Sequence, residues 1–461
     1  MLLAAVLAAT LAADLDHIIA TAPTLHGAHV GLLVETTDGV PVYAHNADDT
    51  LQGASTMKLV VGSAALERLG PTYRFTTTLT RAPLPAGGDA LVLHGGGDPL
   101  LRRTDLDAAA DAVQQAGIVQ AQVTLDESHV APDERRAPGW SVDDYLEYYA
   151  PVVNGLPFEE NVLPLTLLPG AAIGAPPVLQ LPSPYAALGV PAGTCVPAPT
   201  LLTFTMAAKT VAAGQPDTSD VNVGLCGDIV ITGGVPLGGP SHVDAAVDQP
   251  EALALAYFTD ALRRRGITVL DTQAGVPGPG TVVWRHVSEP LSAMLADMWQ
   301  PSDNLIAEEL LRELDVATNA HPGTIEGGAA VERAWLRAIG VDPATLTIAD
   351  GSGLSQYDRV TPRALAAILL HDWRGPNHRV ALDALPVAGV RGDLRGAMQG
   401  STAVGRVFAK TGSMMHVRGL AGFVDARSGG TLIFALNVDD WMGTDADMAA
   451  LRTAIAVRLA Q

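Results

Sequence analysis

The chain has 461 residues, enough for two or three domains with a large hydrophobic core. Its formal net charge of −21 at pH 7 argues against nucleic acid or anionic membrane surfaces as partners. Lysine is rare and stands only at Lys58, Lys209 and Lys410. Because arginine cannot act as a base at neutral pH whereas lysine can, these three lysines are candidates for chemistry.

Residues 1–13 resemble a secretory signal peptide, because a run of Leu, Ala and Val ends in small residues. The run lacks the usual preceding Lys or Arg and is too short to span a bilayer. We therefore expect an exported protein of the periplasm or the extracellular, cell-wall space, without a transmembrane anchor in the mature chain. In that setting Cys195 and Cys226 could form one disulfide, and a reduced buried pair is the alternative.

The first elements of the mature chain are a predicted helix over 14–22 and a hairpin. Apolar runs over 30–36 and 40–44 flank Asp38-Gly39, a dipeptide that favours a tight hairpin turn. A buried helix is predicted to follow after a short polar loop, because the residues from 53 to 66 have no polar face apart from single hydroxyls and one lysine.

This helix would carry Ser55 and Lys58, one turn apart and on the same face. Burial disfavours a charged lysine and lowers its pKa, so that the amine could take the serine proton. The helix N-terminus would favour developing negative charge. The bare Ser-x-x-Lys pattern also fits a helix cap beside a lysine that reaches the surface, so its meaning depends on motifs further along the chain.

The region from about 75 to 282 reads as largely β, with short apolar runs at 91–94 and 229–232 between Gly and Pro. Two helices are predicted within it, near 106–116 and 250–266. We predict that 81–280 is an inserted, mostly β region, with a candidate sub-lobe near 165–240. The segments 14–80 and 281–461 would then form one discontinuous catalytic domain.

A helix is predicted at 291–299, and Pro301 separates this helix from the next. Ser302-Asp303-Asn304 occupies the corner, where Ser302 or Asp303 can cap the second helix. A loop over 350–355 and a helix opened by Thr361-Pro362 follow. Strands are predicted at 407–413, 420–424 and 431–438, before a last helix over 445–461. With the first hairpin they could form one antiparallel sheet, with the first and last helices on one face.

Three short motifs thus stand in order: Ser55-x-x-Lys58, Ser302-Asp303-Asn304 and Lys410-Thr411-Gly412. This ordered set is typical of class A β-lactamases and penicillin-binding proteins. The chain resembles the penicillin-binding protein 4 type of D-alanyl-D-alanine carboxypeptidase/endopeptidase, peptidase family S13, over nearly its whole mature length. Further phrases carry this resemblance: Gly96-Gly97-Asp98-Pro99, Tyr149-Ala150-Pro151-Val152, Asp350-Gly351-Ser352-Gly353-Leu354-Ser355 and Leu385-Pro386-Val387-Ala388-Gly389-Val390.

The resemblance implies an α+β fold: a penicillin-binding/β-lactamase-like domain, with an antiparallel sheet flanked by helices and an all-helical lobe, and a large, mostly β insertion. It implies peptidoglycan stem peptides as substrates, an acyl-enzyme, β-lactams as covalent inhibitors, and no cofactor. No metal site is expected either, because the histidines are scattered. Two positions depart from the family pattern: Ser413 stands where threonine is usual, and Gly53 where proline often precedes the serine.

The resemblance also implies roles for the motif residues. Ser55 attacks the D-Ala-D-Ala carbonyl, Lys58 is the base, and Ser302 passes a proton towards the leaving amine. Asn304 binds the substrate backbone and Lys58, and Lys410 keeps the cleft positive. Thr411 and Ser413 would bind the substrate carboxylate, and the backbone N–H groups of Ser55 and Ser413 would form the oxyanion hole. The substrate-binding set is Thr411, Gly412 and Ser413.

Other functions remain open at this stage. A β-lactamase would need a deacylating base, and the acidic pair Glu308-Glu309 lies on the helix after the second motif rather than on a loop. A wall-binding or antibiotic-sensing protein would be acylated without turnover. An esterase or D-amino-acid amidase usually has tyrosine in the second motif. Asp143 or Asp144 could contact an amino group of the stem peptide, or could simply belong to a solvated turn.

Overall fold

The computed structural model describes residues 2–85, 87–186, 189–191, 202–224, 228–270, 280–427 and 429–461. Cys195 and Cys226, and with them the predicted disulfide, lie outside the described residues. The helices of the described part of the chain are α1 Leu2–Thr21, α2 Lys58–Arg68, α3 Arg103–Gln115, α4 Pro250–Arg264, α5 Leu291–Trp299, α6 Asn304–Asn319, α7 Ile325–Ala338, α8 Pro362–Arg374, α9 His378–Ala384 and α10 Asp445–Leu459.

The strands of the same residues are β1 His29–Thr36, β2 Pro41–His45, β3 Thr76–Pro83, β4 Asp89–His94, β5 Gln120–Asp126, β6 Val162–Leu168, β7 Val178–Gln180, β8 Gly189–Pro191, β9 Leu202–Met206, β10 Lys209–Val211, β11 Asp220–Val223, β12 Ile229–Thr232, β13 Gly234–Pro236, β14 Ser241–Ala246, β15 Thr268–Val269, β16 Thr281–Val287, β17 Val407–Met414, β18 Val417–Asp425 and β19 Thr431–Asp439.

The chain forms two compact units. The first comprises Met1–Arg74, Ala137–Gly139 and Glu289–Gln461, and the second comprises Phe75–Arg136 and Trp140–Ser288. The predicted domain assignment stays a prediction, because compact units need not be domains that fold on their own.

The first unit is built on a five-stranded sheet in the order β17-β18-β19-β1-β2, and every neighbouring pair is antiparallel. The predicted assembly of the first hairpin with three late strands is therefore confirmed. Leu15 of α1 and Ile455 of α10 belong to one core cluster with Leu32 and Leu436 of the sheet, as predicted for the first and last helices. The opposite face of the sheet contacts α8.

Helix α2 is the centre of the helical part of this unit. Its residues from Lys58 to Leu66 are all buried, and it contacts α5, α6, α7 and α8. Gly62 allows α5 to approach α2 closely, because a Cβ there would lie 2.6 Å from the ring of Trp299 on α5. The indole Nε1–H of Trp299 also donates to the Lys58 carbonyl at 2.8 Å. Packing and sequence pattern thus agree on a helix without a solvent face.

The second unit is largely β, as predicted. Its main sheet has the order β15-β5-β4-β3-β16, and smaller sheets have the orders β14-β6-β7, β11-β12-β9-β8 and β10-β13. Helices α3 and α4 pack on one another and share one core cluster with the strands. The sub-lobe near 165–240 stays a prediction.

One helix differs from its prediction. Helix α1 begins at Leu2 rather than at Asp14. The Leu- and Ala-rich run before Asp14 has high helix propensity and forms the first part of the same helix. Leu11, within the predicted signal peptide, packs in the core of the first unit. Among the described residues, no helix is both long and apolar enough to cross a membrane.

Candidate active site

Ser55 lies in a 3₁₀ turn, Ala54–Met57, that leads directly into α2. The sequence predicts the start of a helix here, and the structure places the serine in its tighter first turn. Ala54 has a φ of 44°, a conformation that is uncommon for a residue with a side chain. Residues three apart lie directly above one another in a 3₁₀ turn. The Lys58 amine therefore lies beside the Ser55 hydroxyl, with an Nζ–Oγ distance of 2.9 Å.

The Lys58 amine is completely buried and is surrounded by oxygen atoms. Besides Ser55, its Nζ lies 2.5 Å from Asn304 Oδ1 and 2.8 Å from the backbone oxygen of Ser352. These contacts join three segments that are far apart in the sequence. Since a neutral amine still carries two N–H donors and gains a lone pair, the same cage can hold Lys58 in either protonation state.

The electrostatic environment favours the neutral form of this amine. Burial lowers the pKa of Lys58 from its usual 10.5 to about 7, and the positive charge of Lys410 contributes in the same direction. The carboxyl groups of Asp350, Asp303 and Glu308 act in the opposite direction. Near neutral pH, a substantial fraction of the molecules would therefore hold Lys58 as a base.

The second predicted motif forms the corner between α5 and α6. Asp303 caps α6, because its Oδ1 accepts from the backbone N–H of Ile306 at 2.8 Å. Asn304 is the first residue of α6 and is buried, so its amide is held beside Lys58. Ser302 is half-buried and has a φ of 69°. Within the described part of the chain, its hydroxyl has no hydrogen-bond partner.

The third predicted motif lies on β17, an edge strand of the sheet. Gly412 faces Gly419 of β18, and both are close to the turn that carries the serine. A Cβ at Gly412 would lie 2.7 Å from the Gly53 carbonyl oxygen, and one at Gly419 would lie 2.8 Å from a methyl carbon of Thr56. The two glycines therefore allow the nucleophile turn to approach the strand.

Side chains alternate along this strand, so that Thr411 and Ser413 share one face and Lys410 lies on the other. Lys410 is fully buried, and its Nζ lies 3.3 Å from Asp393 Oδ2. Burial lowers the pKa of Lys410, and Asp393 counteracts this effect. The Thr411 hydroxyl also donates to Asp393. Ser413 is exposed on the same edge strand.

Two features of the site were missed at the level of sequence. The loop 350–355 is one of the phrases that carry the family resemblance, but it contacts Lys58 through the Ser352 backbone oxygen. Every residue has such an oxygen, so the residue type cannot predict this contact. Asp393, the carboxylate partner of Lys410, lies in a short 3₁₀ turn 17 positions earlier and belongs to no predicted motif. Its place is fixed by the fold, since its backbone N–H donates to the Gln300 carbonyl.

The structure thus brings Ser55, Lys58 and Asn304 into direct contact and places the Lys410 charge near them. Asp143 and Asp144 lie in a 3₁₀ turn of the second unit, where Asp144 accepts a hydrogen bond from the Tyr149 hydroxyl. The suggested contact of these two carboxylates with substrate stays a prediction.

Comparisons with known proteins agree with this description. A buried Ser-x-x-Lys pair beside an antiparallel sheet fits the class of serine peptidases, and the comparisons assign the chain to the peptidase hydrolases. More particularly, the chain belongs to the D-Ala-D-Ala carboxypeptidase 3 (S13) family, whose model matches residues 11–461. The resemblance inferred from the sequence is therefore confirmed.

Individual relatives extend over most of the chain. It is 33% identical to the D-alanyl-D-alanine carboxypeptidase of Actinomadura sp. (strain R39), over 97% of this chain and 84% of that one. It is 27% identical to carboxypeptidase DacB of Mycolicibacterium smegmatis, over 89% and 76%. The crystal structure of penicillin binding protein 4 from Haemophilus influenzae has the same fold, with a TM-score of 0.83 at 22% identity, covering 97% of this chain and 99% of that one. The predicted α+β, penicillin-binding-type fold is confirmed.

Proposed function

We propose that this D-Ala-D-Ala carboxypeptidase of the S13 type acts through an acyl-enzyme on Ser55, and that it can cleave both terminal and cross-linking D-Ala bonds of peptidoglycan stem peptides. The observation that carries the proposal is the Lys58 amine, fully buried and 2.9 Å from the Ser55 hydroxyl. A serine needs a base to become a nucleophile, and a lysine with a pKa of about 7 can be that base at neutral pH.

In the acylation step, Lys58 takes the proton of Ser55 while Oγ forms a bond with the penultimate D-Ala carbonyl carbon. The backbone N–H groups of Ser55 and Ser413 would stabilise the oxyanion. The C–N bond then breaks, and Ser302 passes the proton from Lys58 to the leaving amine. Water later attacks the ester and releases the shortened peptide. No metal or cofactor takes part in this scheme.

Substrate binding would use the edge strand β17 and its neighbours. Asn304 can hydrogen-bond the substrate backbone while its Oδ1 contacts Lys58. Lys410 supplies positive charge, Thr411 and Ser413 would bind the terminal carboxylate of the peptide, and Gly412 between them would complete the substrate-binding set. A β-lactam presents an amide and a carboxylate in similar positions, so we propose that it acylates Ser55 as an inhibitor. A penicillin binding protein 4 from Haemophilus influenzae has been crystallised in complex with a β-lactam.

The alternative of a β-lactamase would need a carboxylate free to activate water. Glu308 does not have this freedom, because its Oε1 accepts from two backbone N–H groups, and its Oε2 accepts from Arg312. Glu308 is therefore unsuited to be the deacylating base that a β-lactamase needs. Because peptidoglycan lies outside the cytoplasmic membrane, we also propose that the protein is exported.

The test is release of D-alanine from a peptide that ends in D-Ala-D-Ala, together with cleavage of a cross-linked stem-peptide dimer. We expect both products with the wild-type protein and neither with Ser55→Ala. Ser63→Ala is a matched control, since Ser63 lies on α2, directly after the turn that carries Ser55, and its hydroxyl donates to Asp372 instead. D-alanine release by Ser55→Ala at the wild-type rate would contradict the proposal.

A further inference from the structure

The loop 350–355 contacts the catalytic lysine through a backbone carbonyl. Three oxygen atoms surround Lys58 Nζ: Ser55 Oγ at 2.9 Å, Asn304 Oδ1 at 2.5 Å and the Ser352 carbonyl oxygen at 2.8 Å. The amide oxygen and the carbonyl oxygen can only accept hydrogen bonds. When Lys58 is neutral, they take its two N–H groups, and the lone pair remains for the Ser55 proton. The Ser352 carbonyl oxygen is thus one of the two acceptors that orient the Lys58 amine towards Ser55.

Glu308 holds this carbonyl in place. Its Oε1 accepts from the backbone N–H of Gly351 at 3.0 Å and from that of Ser352 at 2.9 Å. Glu308 is fully buried on α6, one turn after Asn304, and residues four apart share a helix face. One face of α6 therefore provides both acceptors of Lys58, one directly through Asn304 and one through the loop.

The loop also packs closely against α6 on one side and against the turn that carries Ser55 on the other. A Cβ at Gly351 would lie 2.4 Å from the Ala307 carbonyl oxygen of α6. Gly353 has a φ of +81°, and a Cβ there would lie 2.0 Å from the carbonyl oxygen of Ala54, next to the nucleophile. Asp350 closes the loop by accepting from the Gly353 N–H at 2.6 Å.

We propose that Glu308 is a positioning residue for acylation: by accepting from the backbone of the loop, it fixes the Ser352 carbonyl that, with Asn304, orients the neutral Lys58 amine towards Ser55. This proposal rests on the proposed function of Ser55 and Lys58. It assigns the two amide hydrogen bonds, rather than the ion pair of Glu308 with Arg312, as the contribution to the reaction.

Two double variants of the full chain separate these contributions. Glu308→Gln with Arg312→Met removes both charges and keeps an amide oxygen for the two backbone N–H groups. Glu308→Ala with Arg312→Met removes both charges and the acceptor. Replacing a buried ion pair by neutral groups is often tolerated. The readouts are the rate constant for acylation of Ser55 by benzylpenicillin at saturation, its apparent dissociation constant, and the melting temperature.

We expect the variant with glutamine to be acylated within about threefold of the wild-type rate, and the variant with alanine to be about 10- to 100-fold slower, since small misplacements of reacting groups have such effects. The apparent dissociation constant should be unchanged in both. Equal acylation rates for the two variants would overturn the proposal. A wild-type protein without any adduct would contradict the proposed function itself, which is a distinct result.

Should either double variant fail to fold, Glu308→Asp in the otherwise unchanged chain is the second test. It keeps the negative charge but draws the carboxylate back from the loop, and from Arg312, by one methylene group. We expect slower acylation by the same factor, with the loss in the rate constant rather than in binding. Acylation at the wild-type rate would overturn the proposal.

Discussion

Neutralising Lys410 should raise the pKa of Lys58. The fully buried amine has a pKa of about 7, compared with 10.5 for an ordinary lysine. This difference corresponds to about 5 kcal/mol in favour of the neutral form. After burial, the Lys410 charge is the largest cause of this lowering. Lys410→Met removes that charge while Asp350, Asp303 and Glu308 remain, so the pKa must move upwards.

The composition of the chain makes this measurable. With three lysines in all, protein labelled with ¹³C at the lysine ε-carbon gives three signals, and the signal of Lys58 is the one missing from Lys58→Met. We expect this signal to titrate with a midpoint of about 7 in the wild type and at higher pH in Lys410→Met. Lys209→Met, the same substitution at an exposed lysine of the second unit, is the matched control and should leave the midpoint unchanged.

The kinetics should follow the same titration. Acylation needs the neutral amine, so its rate should rise with pH through about 7 and then level off; at pH 6, about a tenth of the molecules would be competent. In Lys410→Met the rise should occur at higher pH, together with weaker substrate binding. A Lys58 midpoint near 10 in the wild type, or one that does not rise in Lys410→Met, would refute the reasoning.

Three further predictions concern groups around the site. Ser302→Ala should slow acylation by about 100-fold, as stopped-flow kinetics can show, but change the free energy of unfolding by less than about 0.5 kcal/mol, as calorimetry can show. Acylation of this variant at the wild-type rate would mean that Ser302 does not transfer the proton. Asp393→Asn should lower the pKa of Lys410 further, because Asp393 raises it, and a rise in the same ¹³C titration would contradict this. Gly62→Ala should destabilise the protein by about 1–3 kcal/mol in denaturant titrations, because the new methyl group meets the Trp299 ring; unchanged stability would mean that the ring moves freely.

Much of the first unit could be predicted from the sequence, because local rules determine it. Asp38-Gly39 marks the first hairpin, Thr361-Pro362 opens α8, and Asp303 caps α6. The five strands of the sheet could be assigned because each is an apolar run bounded by turn residues. The start of α1 could not, since an apolar, Ala-rich run has the same composition in a signal peptide and in a helix.

The candidate active site also has a part that could be predicted from the sequence and a part that could not. Ser55, Lys58 and Asn304 are side chains with recognisable chemistry at recognisable spacing, and the structure joins them. The Ser352 contribution is a backbone carbonyl, and Asp393 reaches Lys410 from a turn without a motif. Such contacts depend on how segments that are distant in the sequence pack together. The spacing of residues along the chain does not predict this packing. The turn that carries Ser55 likewise packs closely against β17 and β18, two strands that are distant from it in the sequence.

The central claim is that Ser55 is the nucleophile of an acyl-enzyme. The most direct measurement is the intact mass of the purified protein after mixing with benzylpenicillin, beside Ser55→Ala. Because opening of the β-lactam ring expels no leaving group, we predict that the wild-type protein gains the mass of one whole penicillin molecule, stably, and that Ser55→Ala gains none. Rapid accumulation of hydrolysed penicillin without adduct would indicate a β-lactamase, and neither adduct nor product would contradict the assignment of Ser55.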